Sequence, residues 1–370
     1  MSKVLLVGGA GYVGSVLAEE LLERGYAVRI LDRLFYGAQG LAEIRDRVEL
    51  IVDDMRNVDP KVLEDVDAVI NVGGLSNDPT AEYNPQANHE MNVVAAGRLA
   101  DLCKLAGVGR YLLASSCSIY DRGVGTDGRD VILTEESEVS PRAAYAKSKF
   151  QAERYLLGLA DNCFCPVVLR KGTIFGFSRR MRYDLVVNSF VKDALQKGIL
   201  TLHYGGEMWR PLVNIRDVAR AYIACLEADE SVVRGEIFNV SLRNFRISEL
   251  ALRVRETLGK IGIRVDIVPD YSYKGVRSYQ VSADKLERRL GFRPVVTVEE
   301  SVATMVEQIR QCGYTDFEDP RYFNIQWMRL LEEAGRVINP DYSLFSSPKR
   351  EPSPVINIAV ESVTESMAGD

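Results

Sequence analysis

The sequence predicts an α/β fold, a doubly wound parallel sheet with a smaller α/β region that shapes a pocket, and three observations carry that expectation. Short β-branched runs alternate with helical stretches from residue 4 onward, an order that means parallel strands joined by crossover helices. A glycine-rich turn, Gly8-Gly9-Ala10-Gly11-Tyr12-Val13-Gly14, separates the first strand from the first helix. Far downstream, Tyr145-Ala146-Lys147-Ser148-Lys149 sets a phenol and an ammonium one helical turn apart, on one face.

The elements come in a regular order. VLLVGG leads into a helix over 13–24, and the strands AVRILD, VELIVDD and AVINVGG succeed it. A helix over 92–106, the strand YLLASS at 111–116, a helix over 144–160 and the strand PVVLRKGTIF at 166–175 continue the sheet. After Gly176 the rhythm changes: an arginine-rich stretch, FSRRMRY at 177–183, precedes a helix DLVVNSFVKDALQKG, and shorter elements (FNVS at 238–241, a helix over 247–259, VDIVP at 265–269) run on to about 313. We therefore expect a dinucleotide-binding domain over 1–176 and a mainly substrate-binding region over 177–320, with some return to the first sheet. In 321–335, Phe323, Trp327, Leu330, Leu331 and Ala334 stand at helical spacing, so a docked C-terminal helical extension is expected over 321–345. Residues 346–370 are rich in Ser, Pro and Glu and read as a flexible tail.

Composition narrows the function classes. A chain of 370 residues, 46% hydrophobic and 26% charged, has enough apolar material for a sizeable core, which excludes wholesale disorder. A net charge of −6 and the absence of a Lys/Arg block argue against a nucleic-acid partner. No apolar run approaches the ~20 residues of a membrane span. The strand pattern begins at Val4, leaving no room for a secretory leader, so a cytoplasmic protein is expected. Six scattered cysteines and two histidines make a structural metal improbable, and free thiols are the default.

Each motif carries a physical expectation. Gly8 permits the tight turn, Gly11 lets backbone approach phosphate, and Gly14 lets helix and strand pack closely; together they form a Rossmann-type dinucleotide cradle, with Tyr12 and Val13 between them. Asp32 ends the second strand, where its carboxylate can accept both hydroxyls of an adenosine ribose and repel a 2′-phosphate. Arg33 beside it could pair with that phosphate, so NAD is favoured over NADP without NADP being excluded. Asp54 and Met55 close the third strand, where a carboxylate and an apolar side chain could meet an adenine, or simply make a strand-end turn. An ammonium at Lys149 would lower the pKa of Tyr145 from its usual value of about 10, as abstraction of an alcohol proton requires. The bland alternative, a solvent-facing Tyr/Lys pair, loses weight beside Ser115-Ser116 at a parallel strand's carboxyl end.

These blocks resemble one family. GGAGYVG at 8–14, LDRLFYG at 31–37, VDDMRN at 52–57, Asn92, SSCSIY at 115–120, YAKSK at 145–149, RKGTIFG at 170–176 and WRPLVNIRDVARA at 209–221 are similar, in this order, to the extended short-chain dehydrogenases/reductases. Within them the resemblance is to the NAD-dependent sugar-nucleotide epimerase/dehydratase family, typified by UDP-glucose 4-epimerase, over about residues 3–313. It implies Ser116 as the hydroxyl that holds the sugar oxygen, Tyr145 as base and then acid, Lys149 on the nicotinamide ribose, and Asn92 among the cofactor residues. Tightly bound NAD would take a hydride from the sugar and return it to the other face, which makes an epimerase, with carbon 4 the centre implied, acting on a nucleotide-diphosphate sugar. Relatives with 4,6-dehydratase activity carry Asp-Glu after the catalytic Thr, and UDP-glucuronate decarboxylases carry Glu at the second place; here Cys117 and Ser118 stand there. A 3,5-epimerase uses Cys at that second position, so Cys117 reads chiefly as a small buried residue.

The resemblance further implies Arg210, Arg277 and Asn188 at the diphosphate, and Thr173 where the family has an Asn near the sugar. Arg179, Arg180 and Arg182 could add contacts, bind a carboxylate on the sugar, or form a solvated surface loop. A homodimer through the helices near 92–106 and 144–160 is implied as well. Two other readings stay open at this point: reduction of a 4-keto sugar by external NAD(P)H, and a non-catalytic dinucleotide sensor on the same fold.

Overall fold

A computed structural model describes residues 2–121, 131–272 and 277–346, so the expected tail, beyond Ser346, lies outside the described residues. Seven parallel strands form the main sheet, in the spatial order Glu236–Val240, Cys165–Lys171, Arg110–Ser116, Ala68–Asn71, Lys3–Val7, Ala27–Asp32, Val48–Val52. The winding reverses between Lys3–Val7 and Ala68–Asn71, and the crevice at their carboxyl ends is where such sheets bind ligands.

Both faces are covered because the central strands, Lys3–Val7 and Ala68–Asn71 among them, are buried on both sides. On one face the helices Tyr12–Glu23 and Ile215–Glu227 pack through Val16, Leu17, Val218 and Tyr222; on the other, Ala96–Leu105 and Ala144–Gly158 pack through Leu99, Cys103, Ala152 and Leu156. A second core lies over the carboxyl end of the sheet. It joins the helices Val186–Lys197, Ile247–Lys260 and Val298–Gln311 to a three-stranded sheet of Thr173–Phe175, Trp209–Asn214 and Arg243–Arg246. The last of these helices starts with a reciprocal cap, Thr297 and Glu300 each bonding the other's backbone.

Three elements depart from the sequence expectation. The run 166–175 is not one strand: it breaks at Gly172, Cys165–Lys171 staying in the large sheet while Thr173–Phe175 joins the small one. A Cβ at Gly172 would lie 2.8 Å from the Pro211 carbonyl oxygen, so only glycine lets the chain cross there. The helix expected over 92–106 opens earlier, with a π turn over Glu90–Ala95 before Ala96–Leu105; such turns insert an extra residue and re-aim side chains.

The C-terminal helix, Asn324–Ile338, buries Asn324, Met328 and Glu332 rather than the expected apolar stripe, and Leu330 is exposed. The surface beneath it is partly polar: Asn324 bonds Arg180 and Ser76, and Glu332 accepts from the Tyr83 hydroxyl. No helix among the described residues is long and apolar enough to cross a membrane.

Candidate active site

The crevice opens into a cavity of ≈ 450 Å³ that runs from the glycine turn to the small sheet. Its first wall is bare backbone. Gly8 adopts φ +79°, and a Cβ there would fall 2.6 Å from the Gly73 Cα; a Cβ at Gly14 would fall 2.2 Å from the Gly8 oxygen. Gly11 meets nothing within 4 Å but that same oxygen, at 3.3 Å, so its cavity side is open to an incoming phosphate. Tyr12 and Val13 line the cavity with these glycines.

Asp32 ends its strand on the cavity wall, its carboxylate accepting from the backbone N–H of Ala10 (3.0 Å) and of Leu34 (2.8 Å). Burial raises its pKa, and the two backbone bonds oppose the rise. A fixed acceptor beside a bare glycine turn fits a dinucleotide's ribose and diphosphate, so the residues present suit NAD.

At the far end, helix Ala144–Gly158 presents Tyr145, Lys149 and Glu153 on one face. Glu153, buried, ion-pairs with Arg170 of the neighbouring strand (2.7 Å) and accepts from Ser115. That pair fixes the helix's rotation, and Tyr145 and Lys149 consequently face the cavity together with Ser116. Lys149 Nζ lies 5.9 Å from the centre of the Tyr145 ring. Burial raises the Tyr145 pKa well above the ordinary phenol value; Asp78 adds to the rise, while Arg182 and a hydrogen bond with Ser116 oppose it. The same burial brings Lys149 down to about 8, opposed by Glu153. Burial is the leading influence on the phenol; Lys149, which sequence reasoning had put first, is not among the main groups that shift it.

Ser118, Thr173, Arg210 and Arg277 also line the cavity. The Ser118 hydroxyl is buried without a partner, free to meet a ligand. Arg210 donates to the carbonyls of Trp209 and Arg277, and Arg277 ion-pairs with Asp78 and faces Asp121 at 3.9 Å.

Four expected site residues stand elsewhere. Asn188 is fully buried: it accepts from Gly176 N (3.0 Å) and donates to the Tyr12 hydroxyl (3.1 Å) and the Arg182 carbonyl (2.9 Å), so its amide braces the loop rather than meeting diphosphate. Asp54 is buried against Arg56 (2.7 Å) and Arg33 (2.9 Å) and caps the turn Met55–Asn57; Asp53 and Met55 take the cavity wall instead. Arg33 lines the cavity with its guanidinium on Asp54 (2.9 Å) and the Leu344 carbonyl (3.3 Å), contacts with which a 2′-phosphate would have to compete. Asn92 lies one layer behind, donating to the Leu75 carbonyl (2.9 Å) and Ser148 (3.3 Å) and so fixing the loop that does line the cavity. Cys117 is fully buried with its thiol on the Arg170 carbonyl (3.1 Å), and burial raises its pKa.

Sequence reasoning missed other cavity residues. Lys171 pairs in register with Ser116 across adjacent parallel strands, so both side chains share a face; burial, with Lys149 nearby, brings it down to about 7. The spacing that reveals a register was readable, but the strand break at Gly172 was not. Asp78, Tyr279 and the C-terminal residues Asn324, Ile325 and Met328 come from segments with no motif. That C-terminal segment is tied down from below: Trp327 donates to the Phe35 carbonyl (2.5 Å), and Arg56 donates to those of Phe345 (2.5 Å) and Ser346 (3.0 Å).

Known proteins share this fold. The chain is 26% identical over 313 residues to UDP-glucuronic acid decarboxylase 1 of Xenopus tropicalis, covering 84% of this chain and 72% of that protein. Among solved structures, the UDP-glucose 4-epimerase of Thermotoga maritima with UDP-glucose superposes with a TM-score of 0.72 at 23% identity, covering 84% of this chain and 99% of the other. The dTDP-glucose 4,6-dehydratase of Streptomyces venezuelae, solved with NAD bound, gives 0.72 at 25%, covering 85% and 99%. The sequence profile of the NAD dependent epimerase/dehydratase family matches residues 4–241, and the chain belongs to that family.

Proposed function

We propose that this family member is a nucleotide-diphosphate-sugar epimerase that works at carbon 4 through a transient ketone on resident NAD. Bound NAD supplies the acceptor, and later the donor, of a hydride. Ser116 holds the sugar hydroxyl, Tyr145 takes its proton as the carbon–hydrogen bond breaks and returns it to the reduced sugar, and Lys149 orients the nicotinamide ribose and favours the phenolate. Arg210 and Arg277 supply the cations that a diphosphate needs.

The observation that carries the reading is the pair of residues next to Ser116: Cys117 is turned into the core and Ser118 bears an uncharged hydroxyl on the cavity. Elimination of water after oxidation needs a base and an acid, and loss of carbon dioxide leaves an enolate that must be protonated; the resemblance puts those groups at these two places, whereas simple return of the hydride needs neither. The Arg33–Asp54 pair supports NAD over NADP.

The test is a panel of UDP-, GDP-, CDP- and dTDP-sugars incubated with the purified protein and no added cofactor, followed by NMR. A new anomeric signal from the epimer is the expected result. A requirement for stoichiometric NAD(P)H, or a 4-keto-6-deoxy or pentose product, would overturn it.

A further inference from the structure

The three arginines of the 177–183 loop differ in what neutralises them. Arg179 pairs at the surface with Glu43 (2.5 Å) and Glu19 (3.5 Å), and Arg182 pairs with Asp184 (2.8 Å). Arg180 has no carboxylate within ion-pair distance among the described residues, although it is only 2% exposed. Its Nε has no hydrogen-bond partner, and the residue lines the cavity. A buried guanidinium left without a counter-charge is costly, and five fixed donors on a planar fork suit an oxyanion. Burial lowers its pKa to about 10; Arg182 adds to the fall, and Tyr36, Asp184 and Asp32 oppose it.

Two contacts aim the group. Its Nη2 donates to Asn324 Oδ1 at 2.6 Å, and its guanidinium lies over the Tyr36 ring, 3.7 Å from the centre. Its place is set by Gly40, where a Cβ would lie 3.0 Å from the Ala10 carbonyl oxygen and 3.1 Å from the Arg180 Cβ. Arg180 therefore stands next to the glycine turn, on the wall contributed by the second region. Arg210 and Arg277 gather around Tyr279 and Asp78 instead.

We propose that Arg180 closes the glycine turn from the opposite wall as the counter-charge for the diphosphate of the bound dinucleotide, with Asn324 and Tyr36 as its positioning groups. The inference rests on the dinucleotide site and not on the choice of sugar reaction, so its test needs no turnover. It also gives the C-terminal helix a task, since Asn324 is that helix's first residue.

Two diphosphates enter this cavity, the cofactor's and the nucleotide sugar's, and the experiment separates them. Exchange of bound NAD against labelled NAD is timed in the holoprotein and in Arg180→Met, and UDP affinity is measured on both by calorimetry. Arg180→Met is expected to exchange NAD about 10- to 100-fold faster while UDP affinity stays within about two-fold. Arg180→Lys should recover only part of the loss, because an ammonium lacks the fork, and Asn324→Ala should fall between. Unchanged exchange in Arg180→Met overturns the proposal, and so does a loss confined to UDP, which would hand Arg180 to the sugar nucleotide. Should Arg180→Met not fold, Arg180→Lys and Asn324→Ala decide alone: faster NAD exchange supports the assignment, and parental exchange in both overturns it.

Discussion

At the scale of single residues, the cavity concentrates charge that the fold does not neutralise. Lys149 and Lys171 make no ion pair among the described residues, and burial lowers them to about 8 and about 7. A lysine lowered in the native state has released a proton that the unfolded chain still holds, so the contribution of these two amines to stability rises with pH from about 7, below which both are charged in either state, to the ordinary lysine value of about 10.5. The urea midpoint of cofactor-free protein should therefore climb across that window, and should climb less in Lys149→Met and Lys171→Met; parallel curves for parent and variants would contradict this. Residue-scale legibility was uneven. Gly8, Gly11, Gly14 and Asp32 were readable because one turn and one strand end fix them locally, and each lines the cavity. Asp54 was misplaced by one residue, since which of two adjacent carboxylates turns inward depends on Arg33 and Arg56, a tertiary fact.

At the scale of elements, the helix Ala144–Gly158 owes its orientation to a buried ion pair. Glu153→Ala leaves Arg170 charged and almost fully buried, so the variant should lose about 3–5 kcal/mol of stability in urea unfolding, and a loss below about 1 kcal/mol would mean that the Tyr120 hydroxyl suffices as its partner. The C-terminal helix makes a second case. Truncation after Phe323 removes Asn324, Ile325 and Met328 from the cavity wall and the anchors of Trp327 and Phe345, so the shortened protein should purify largely free of NAD. A full complement of NAD in it would contradict that expectation. Helical spacing foretold this helix, yet not its buried face, because the partners that make Asn324 and Glu332 inward-facing belong to Arg180, Ser76 and Tyr83, distant in sequence. The break at Gly172 was hidden for a similar reason: the run looks like one strand until Pro211 arrives beside it.

At the scale of the whole molecule, two cores meet across one crevice, and the alternation of strands and helices made the larger of them legible from residue 4 to the strand Cys165–Lys171; the edge strand Glu236–Val240, read as one of the second region's short elements, returns to it. A ligand that binds across such a crevice stabilises the native state by an amount that grows with the logarithm of its concentration over Kd. Returning NAD to cofactor-free protein at 100 times its Kd should add about 2.7 kcal/mol, read as a rise in thermal midpoint, and no rise would mean the cradle is not a dinucleotide site. The central claim, that Tyr145 moves the proton while resident NAD moves the hydride, is tested most directly by watching the bound cofactor's reduced-nicotinamide absorbance as nucleotide sugar is added to the parent and to Tyr145→Phe. The account predicts a transient signal and epimer formation in the parent, and neither in a variant that still carries its full NAD. Undiminished turnover by Tyr145→Phe would contradict it.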